Sequence, residues 1–372
     1  MKTIAFYLPQ YHRTPENDKW WGNGFTEWTN VRNSKPLFKG HFMPEIPWQS
    51  NYYDLLNPEV QVNQSNIAMK YGVDAFCYYH YWFKNDKKLL ERPMENMLNN
   101  KEIKIPFCVC WANESWSRTW EGKESQVLLE KNDSFSNDAW RRHFDYLLPF
   151  FKDERYLLKD NKPIVIIYKP FLIPHLRDFV SFWNVLAKEN GFAGIYWGYQ
   201  HPSCFDHISE LGQFNFAIEF EPLYTAYEYR KASEDHKLKY MIRHHDYFAL
   251  QSKKLFSVIK GGPKIVDYDI TWNKILHRIP KNEMVQPGAF AQWDNTPRKG
   301  RKGTAYFKAT PEKFDKYIQI RYENAIKYYN ADFLFINAWN EWGEGAHLEP
   351  DELNKFEYLE ALEKATKKYK PE

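Results

Sequence analysis

Two glutamates three positions apart, Glu341 and Glu344, lie in the stretch NAWNEWGEGAHLEP among Trp339, Trp342, Gly343 and Gly345. Paired carboxyl groups can cleave a glycosidic bond, one protonating the leaving oxygen while the other supplies a base or a nucleophile. The glycines let the backbone turn sharply enough for both side chains to aim at one point. The tryptophans lower the local polarity and can raise the proton affinity of one glutamate. A helix cap or surface turn is the bland alternative, although tryptophan and glycine are poor company for a cap. A metal site built from Glu341, Glu344, His347 and Glu349 is another. That pattern lacks the second histidine of HExxH and the ligand spacing of an EF-hand loop, so neither metal nor cofactor is expected.

The motif ends an apolar run that reads as a buried strand, 332–342. Seven earlier segments have the same β-branched and aromatic character: 3–11, 72–83, 105–116, 162–170, 194–200, 215–222 and 288–298. Helical periodicity places helices near 58–71, 86–100, 136–151, 174–190, 203–212, 235–260, 311–330 and 351–369. Alternating strands and helices imply parallel strands joined by right-handed crossovers. Eight such units predict an α/β fold, a (β/α)8 TIM barrel, with a doubly wound open sheet as the alternative. No GxGxxG follows the first strand and no GxxxxGK[ST] occurs, which removes the usual nucleotide-binding signatures. No repeat or linker divides the chain, so residues 1–372 are expected to form one catalytic domain. Long connections follow strands one and six, at 12–57 and 223–287, on the face where barrel enzymes carry their chemistry.

Polar and aromatic residues gather at those strand ends. Strand one carries Tyr7, Tyr11 and His12, strand two Tyr79, His80 and Trp82, and strand three Trp111, Asn113 and Glu114. Strand four adds Tyr168, strand six Glu219, strand seven Trp293, Asp294 and Arg298, and strand eight Asn340. Each alone is more simply a packing residue. A ring of amides, carboxylates and aromatic faces around one mouth, however, suits a neutral polyol, and these residues are the candidate substrate-binding set.

Composition is compatible both with a large aromatic core and with a carbohydrate ligand. Trp 15, Tyr 26 and Phe 27 make 18% of the chain, and aromatic rings give the flat faces on which sugars stack. Lys+Arg 51 against Asp+Glu 48 leaves a net charge of +3, which implies no pull toward nucleic acid. No apolar segment is long enough for stable membrane insertion. The N-terminal apolar run is too short for a signal peptide and reads as the first strand, so a cytoplasmic location is expected. Cys77, Cys108, Cys110 and Cys204 lack zinc-site spacing and are expected to be buried thiols. The oligomeric state is not legible.

Six blocks in order, IAFYLPQYH, WWGNGFTEWTNV, FCYYHYWF, FCVCWANESW, QWDNTPRKGRKG and NAWNEWGEGAHLEP, resemble the WbsX family of polysaccharide and lipopolysaccharide loci. That family is in turn similar to glycoside hydrolase family 99, the endo-α-mannosidases and endo-α-mannanases. Through the C-terminal motif the resemblance implies a sugar-binding role for Asn340, a base at Glu341 and an acid/base at Glu344. It also implies that the base deprotonates the sugar's own 2-hydroxyl, which attacks C1 and gives net retention. The expected substrate is an oligo- or polysaccharide, an α-mannoside of a bacterial surface glycan being one form.

WbsX proteins are also labelled glycosyltransferases, and a nucleotide-sugar transferase is the alternative enzyme. The only Asp-x-Asp, DYD at 267–269, lies inside the long connection after strand six and reads as structural. A catalytically silent carbohydrate-binding protein is a third reading. The basic run Arg298, Lys299, Arg301 and Lys302 is either a solvated loop or a grip for an anionic substituent.

Overall fold

The computed structural model describes residues 1–118, 123–133, 136–201, 212–228, 261–280 and 282–369. Eight parallel strand positions form a ring: β1 (Lys2–Tyr7), β2 (Ala75–His80), β3 (Phe107–Trp111), β4 (Lys162–Ile167), β5 (Tyr196–His201), β6 (Phe216–Glu219), β7 (Val285–Gln286 continued by Gly288–Phe290) and β8 (Phe333–Asn337). The expected barrel is the fold. The strands are shorter than the apolar runs, because their C-terminal ends leave the ladder to build loops.

β7 completes the ring in two pieces. Val285 and Gln286 pair with Ala217 and Ile218 of β6, whereas Gly288, Ala289 and Phe290 pair with Phe335, Ile336 and Asn337 of β8. Pro287 stands between them. It has no N–H to give, but its carbonyl accepts from Phe335 N at 3.0 Å, so the ladder passes from one neighbour to the other. At Gly288 an added Cβ would lie 1.8 Å from the Glu219 carbonyl oxygen, so only glycine lets the two strands approach this closely.

The helices, in chain order, are α1 (Pro15–Trp21), α2 (Glu27–Asn33), α3 (Pro58–Lys70), α4 (Arg92–Asn99), α5 (Asn137–Phe151), α6 (Leu176–Glu189), α7 (Tyr268–His277), α8 (Thr296–Lys299), α9 (Pro311–Lys327) and α10 (Glu357–Tyr369). α1 and α2 lie within the long connection after β1. α4 is shorter than the periodicity implied, since residues 84–86 form a separate turn and Pro93 marks a fresh helix start. α10 begins at Glu357, later than expected, because Asp351 Oδ1 accepts from Asn354 N at 2.5 Å and holds a turn there. The helices expected at 203–212 and 235–260 fall outside the described residues, apart from Gly212, which lies in a turn. A hairpin of Trp116–Arg118 with Lys123–Leu129, not anticipated from the pattern, rises beyond β3.

Strand alternation divides the side chains. Phe6 meets Tyr79, Phe220 and Phe335 at ring distances of 5.5, 5.1 and 5.8 Å, an aromatic layer across the barrel interior. The neighbouring residues Tyr7, Tyr78 and His80 face the helices instead. Cys77, Cys108 and Cys110 are buried free thiols, and Cys204 lies outside the described residues. Among the described residues no helix is long and apolar enough to cross a membrane.

Gly288→Ala should therefore force β6 and β7 apart and lower the unfolding free energy by about 3 kcal/mol. Gly262→Ala, where nothing lies within 4 Å of the added carbon, is the control. Urea denaturation of the two variants checks this; equal midpoints would contradict the closure described.

Candidate active site

The motif after β8 is a tight hairpin. Asn340 and Glu341 pair antiparallel with His347 and Ala346 around a turn at Trp342–Glu344, and Gly345 takes φ +53 to close it. Three bonds seat this hairpin on strand one. Trp339 N donates to Phe6 O at 2.7 Å, and Asn340 grips Leu8 twice, accepting from its N–H at 2.7 Å and donating to its carbonyl at 3.0 Å. Trp342 N donates to the Tyr11 hydroxyl at 2.9 Å. Glu349, beneath the hairpin, accepts from Trp342 Nε1 and Tyr53 OH, both at 2.7 Å, and from Gln64 at 2.6 Å. Burial pushes the Glu349 carboxyl up to about 7, with those donors pulling the other way.

Glu341 and Glu344 then meet one cation. Asp294 Oδ1 accepts from Thr296 N at 2.8 Å and starts the short helix α8, which presents Arg298 to the hairpin. The guanidinium donates from Nη2 to Glu341 at 2.7 Å and pairs through Nη1 with Glu344 at 3.1 Å. Its Nε donates to Glu27, the first residue of α2, at 2.8 Å. An added Cβ on Gly343 would lie 2.4 Å from Glu27 Oε1 and 2.7 Å from Arg298 Nε. The bare glycine backbone is what admits this ion pair between the two motif glutamates.

The electrostatics follow from three carboxylates around one guanidinium. Burial pushes the Glu341 carboxyl well above the ordinary carboxylate range; Arg298 opposes this, and Glu344 and Glu27 add to it. Burial also works against the Arg298 charge, but Glu27, Glu341 and Glu344 more than offset it and hold its proton firmly. Glu344 is more open, with 26% of its side chain exposed, and accepts from Trp293 Nε1 at 3.2 Å.

Both glutamates line a cleft of ≈ 300 Å³ at the C-terminal mouth of the barrel. Of the residues expected to bind substrate, Tyr79, Glu114, Tyr168 and Arg298 share it. Of the basic run Arg298 and Lys299 line the cleft, Arg298 with its guanidinium bonded to carboxylates of its own chain, while Arg301 and Lys302 are exposed. Glu114 is ion-paired with Lys169.

The remaining expected residues do not line the cleft. Tyr7 donates to Gln64 of α3 at 2.7 Å, and Tyr11 is buried against Trp28. His12 is buried, and burial lowers its proton affinity to about 4. His80 bonds His143 of α5 at 2.9 Å, Trp82 stacks on His143 at 4.6 Å, and Trp111 Nε1 donates to Trp82 O at 3.2 Å. Asn113 bridges to the backbone of Lys169 through two bonds of 2.8 Å, tying the ends of β3 and β4 together. Glu219 faces the helices and pairs with Arg321 at 2.7 Å and Arg278 at 3.1 Å. Asn340 is buried, its amide bonded to Leu8 on both sides and reaching Tyr53 OH at 3.5 Å. Trp293 and Asp294 border a neighbouring cavity of ≈ 240 Å³, where His41 bonds Asp294 at 2.9 Å, while Trp293 reaches the site only through its bond to Glu344.

Other lining residues were outside the expected set: Gln10, Trp21, Tyr81, Trp116, Phe220 and Asn337. Period-two alternation from Tyr79 points to Tyr81, and from Glu114 to Trp116. Glu27 had no local signal, since only the fold brings α2 to the hairpin. Among the described residues no group of three His, Cys, Asp or Glu side chains is placed to hold a metal ion. Of DYD, Asp267 caps α7 by accepting from Ile270 N at 3.1 Å, and Asp269 pairs with Lys313 at 2.8 Å.

A family model described as Glycosyltransferase WbsX matches residues 3–362. The chain belongs to the WbsX family. Two proteins called "Uncharacterized protein WxcX", from two strains of Xanthomonas campestris pv. campestris, are each 33% identical over 366 residues, 97% of this chain and 49% of theirs. The chain thus spans about half the length of the curated relatives it matches. Among solved structures, the family 99 endo-α-mannosidase from Bacteroides thetaiotaomicron superposes with a TM-score of 0.55 at 13% identity, over 99% of this chain and 97% of that one. A protein titled only "Glycoside hydrolase-like protein" gives 0.57 at 12% identity, over 98% and 93%. The WbsX chain therefore shares the barrel fold of these structures.

Removing the cation should strand three carboxylates. Arg298→Ala is expected to cost about 3 kcal/mol near pH 7.5 and less near pH 5. Without Arg298 the buried carboxyls bind protons more tightly folded than unfolded, so stability is lost as pH rises. Urea unfolding at both pH values checks the sign; an equal loss at both would contradict it.

Proposed function

We propose that this WbsX protein is a glycosidase or transglycosidase acting on an oligo- or polysaccharide, with Glu341 and Glu344 as its catalytic pair. The observation that carries the reading is the placement of both carboxyl groups, bridged by Arg298, on the wall of an aromatic cleft at the barrel mouth. Tyr79, Tyr81, Tyr168 and Trp116 supply ring faces and hydroxyls for a sugar, and Gln10 and Asn337 supply amides.

In the proposed reaction Glu341 takes the proton of the substrate 2-hydroxyl, and that oxygen attacks C1. Glu344 protonates the departing glycosidic oxygen. Water, or an acceptor hydroxyl, then opens the 1,2-anhydro sugar at C1, giving its proton to Glu344 while O2 recovers its own from Glu341. Two displacements at C1 give net retention. A base aimed at a sugar hydroxyl must be strongly basic, and burial is what makes Glu341 so. Glu344, more open and held by the Trp293 indole and Arg298 Nη1, is placed to exchange protons with leaving group and water.

The family's own description, a glycosyltransferase, favours a second reading, for which the usual donor is a nucleotide sugar. Against it, the carboxylates of the only Asp-x-Asp are committed to a helix cap and an ion pair.

Glu341→Gln and Glu344→Gln should each lower turnover by at least about 10²-fold. Because Glu341 must be ionised and burial raises its proton affinity, activity should climb with pH through a limb above the ordinary carboxylate range. Rates of glycan cleavage across pH 4–9 check this; full activity in either variant, or a limb near pH 4, would count against the assignment.

A further inference from the structure

Glu27 lies outside the motif and does not line the cleft, yet it is buried and bonded to the same guanidinium as both motif glutamates. α2 begins where it does because Thr26 is extended (φ −136, ψ 171) and its N–H donates to Thr29 Oγ1 at 3.3 Å. Trp28 fastens the helix from the other side, its ring 5.5 Å from Trp342 and its Nε1 donating to Tyr53 O at 2.8 Å. Glu27 is thus set against the catalytic hairpin by rigid packing, and the missing Cβ of Gly343 is the space it occupies. A buried carboxylate held in such a place contributes nothing to substrate contact.

We propose that Glu27 is a positioning residue for the glutamate pair: by claiming Arg298 Nε it fixes the guanidinium between Glu341 and Glu344 and makes the two of them share one retained proton. This rests on the glycosidase reading for its purpose, though not for its test. The charge count carries the argument. With Glu27 ionised, one guanidinium faces three carboxylates, so it cannot neutralise both motif glutamates, and one of them keeps a proton. Replace Glu27 by a neutral amide and the same guanidinium is free to compensate the pair. The other groups around Glu341 are Lys299 beside Arg298, Tyr11 after β1, Tyr81 after β2, and Tyr168 with Glu114 across the cleft. None of them supplies a second cation bonded to either glutamate; burial is the largest influence raising the Glu341 carboxyl, and Glu344 and Glu27 add to it.

The experiment is a carboxyl titration of the full chain labelled with ¹³C at glutamate Cδ, with no substrate present. The Glu341 resonance is assigned by its loss in Glu341→Gln. In Glu27→Gln its midpoint should fall by about one pH unit, whereas Glu27→Asp, which keeps the charge, should leave it nearer the parent value. Asn30, half-buried and donating to Glu27 at 3.4 Å, gives a variant that spares the core. Asn30→Asp adds a negative charge and should move the midpoint upward, which keeps the proposal testable if Glu27→Gln fails to fold. An unmoved midpoint in Glu27→Gln, or a downward shift in Asn30→Asp, would overturn it. The titration reads the pair directly, so absence of glycan cleavage would sink the glycosidase reading without touching this result.

Discussion

The Arg298 guanidinium bonds Glu27 through Nε, Glu341 through Nη2 and Glu344 through Nη1, and the mouth of the barrel is arranged around that need. A lone cation among buried carboxylates costs less than the carboxylates alone, and it pins three separate chain segments to one point. The connection after β1 delivers Glu27, the turn after β7 delivers Arg298, and the hairpin after β8 delivers both motif glutamates. Gly343 is required because the ion pair passes where a side chain would be.

Barrel closure makes this meeting possible. The hairpin is held to β1 by Asn340 on Leu8, and β1 is held to β8 through the ladder from Lys2–Phe333 to Ala5–Ile336. Changing the register of either strand by one residue would turn Phe6 away from Phe220 and Phe335 and leave the hairpin without its anchor. The aromatic layer at Phe6 therefore supports the cleft directly, since Tyr79 and Phe220 belong to both.

The fold was largely legible, because eight apolar runs separated by helical segments leave few topologies. The glutamate pair was legible as a candidate from residue type and spacing. The binding ring was legible only in small part. Tyr79 faces the cleft and His80 the helices, as alternation requires, yet both residue types suit a sugar and both were drawn into the expected set. Asn340 and Asn113 have the right chemistry for hydroxyls, but backbone groups of Leu8 and Lys169 claim them, and residue type says nothing of prior commitments. Arg298 reads as a solvated or substrate-gripping cation because its run is basic, whereas its partners are distant in sequence. Glu27 needed the third dimension entirely.

The family's description names a glycosyltransferase, whereas a solved barrel of the same fold is titled an endo-α-mannosidase. In the reaction proposed above the sugar comes from an existing glycosidic bond, and protons move between the two carboxyl groups. The most direct measurement is the release of new reducing ends from a panel of bacterial surface polysaccharides and mannans, with and without added nucleotide sugars. The account predicts release from at least one glycan in the absence of any nucleotide. Sugar incorporation that occurs only when a nucleotide sugar is supplied, with no release from any glycan, would contradict it.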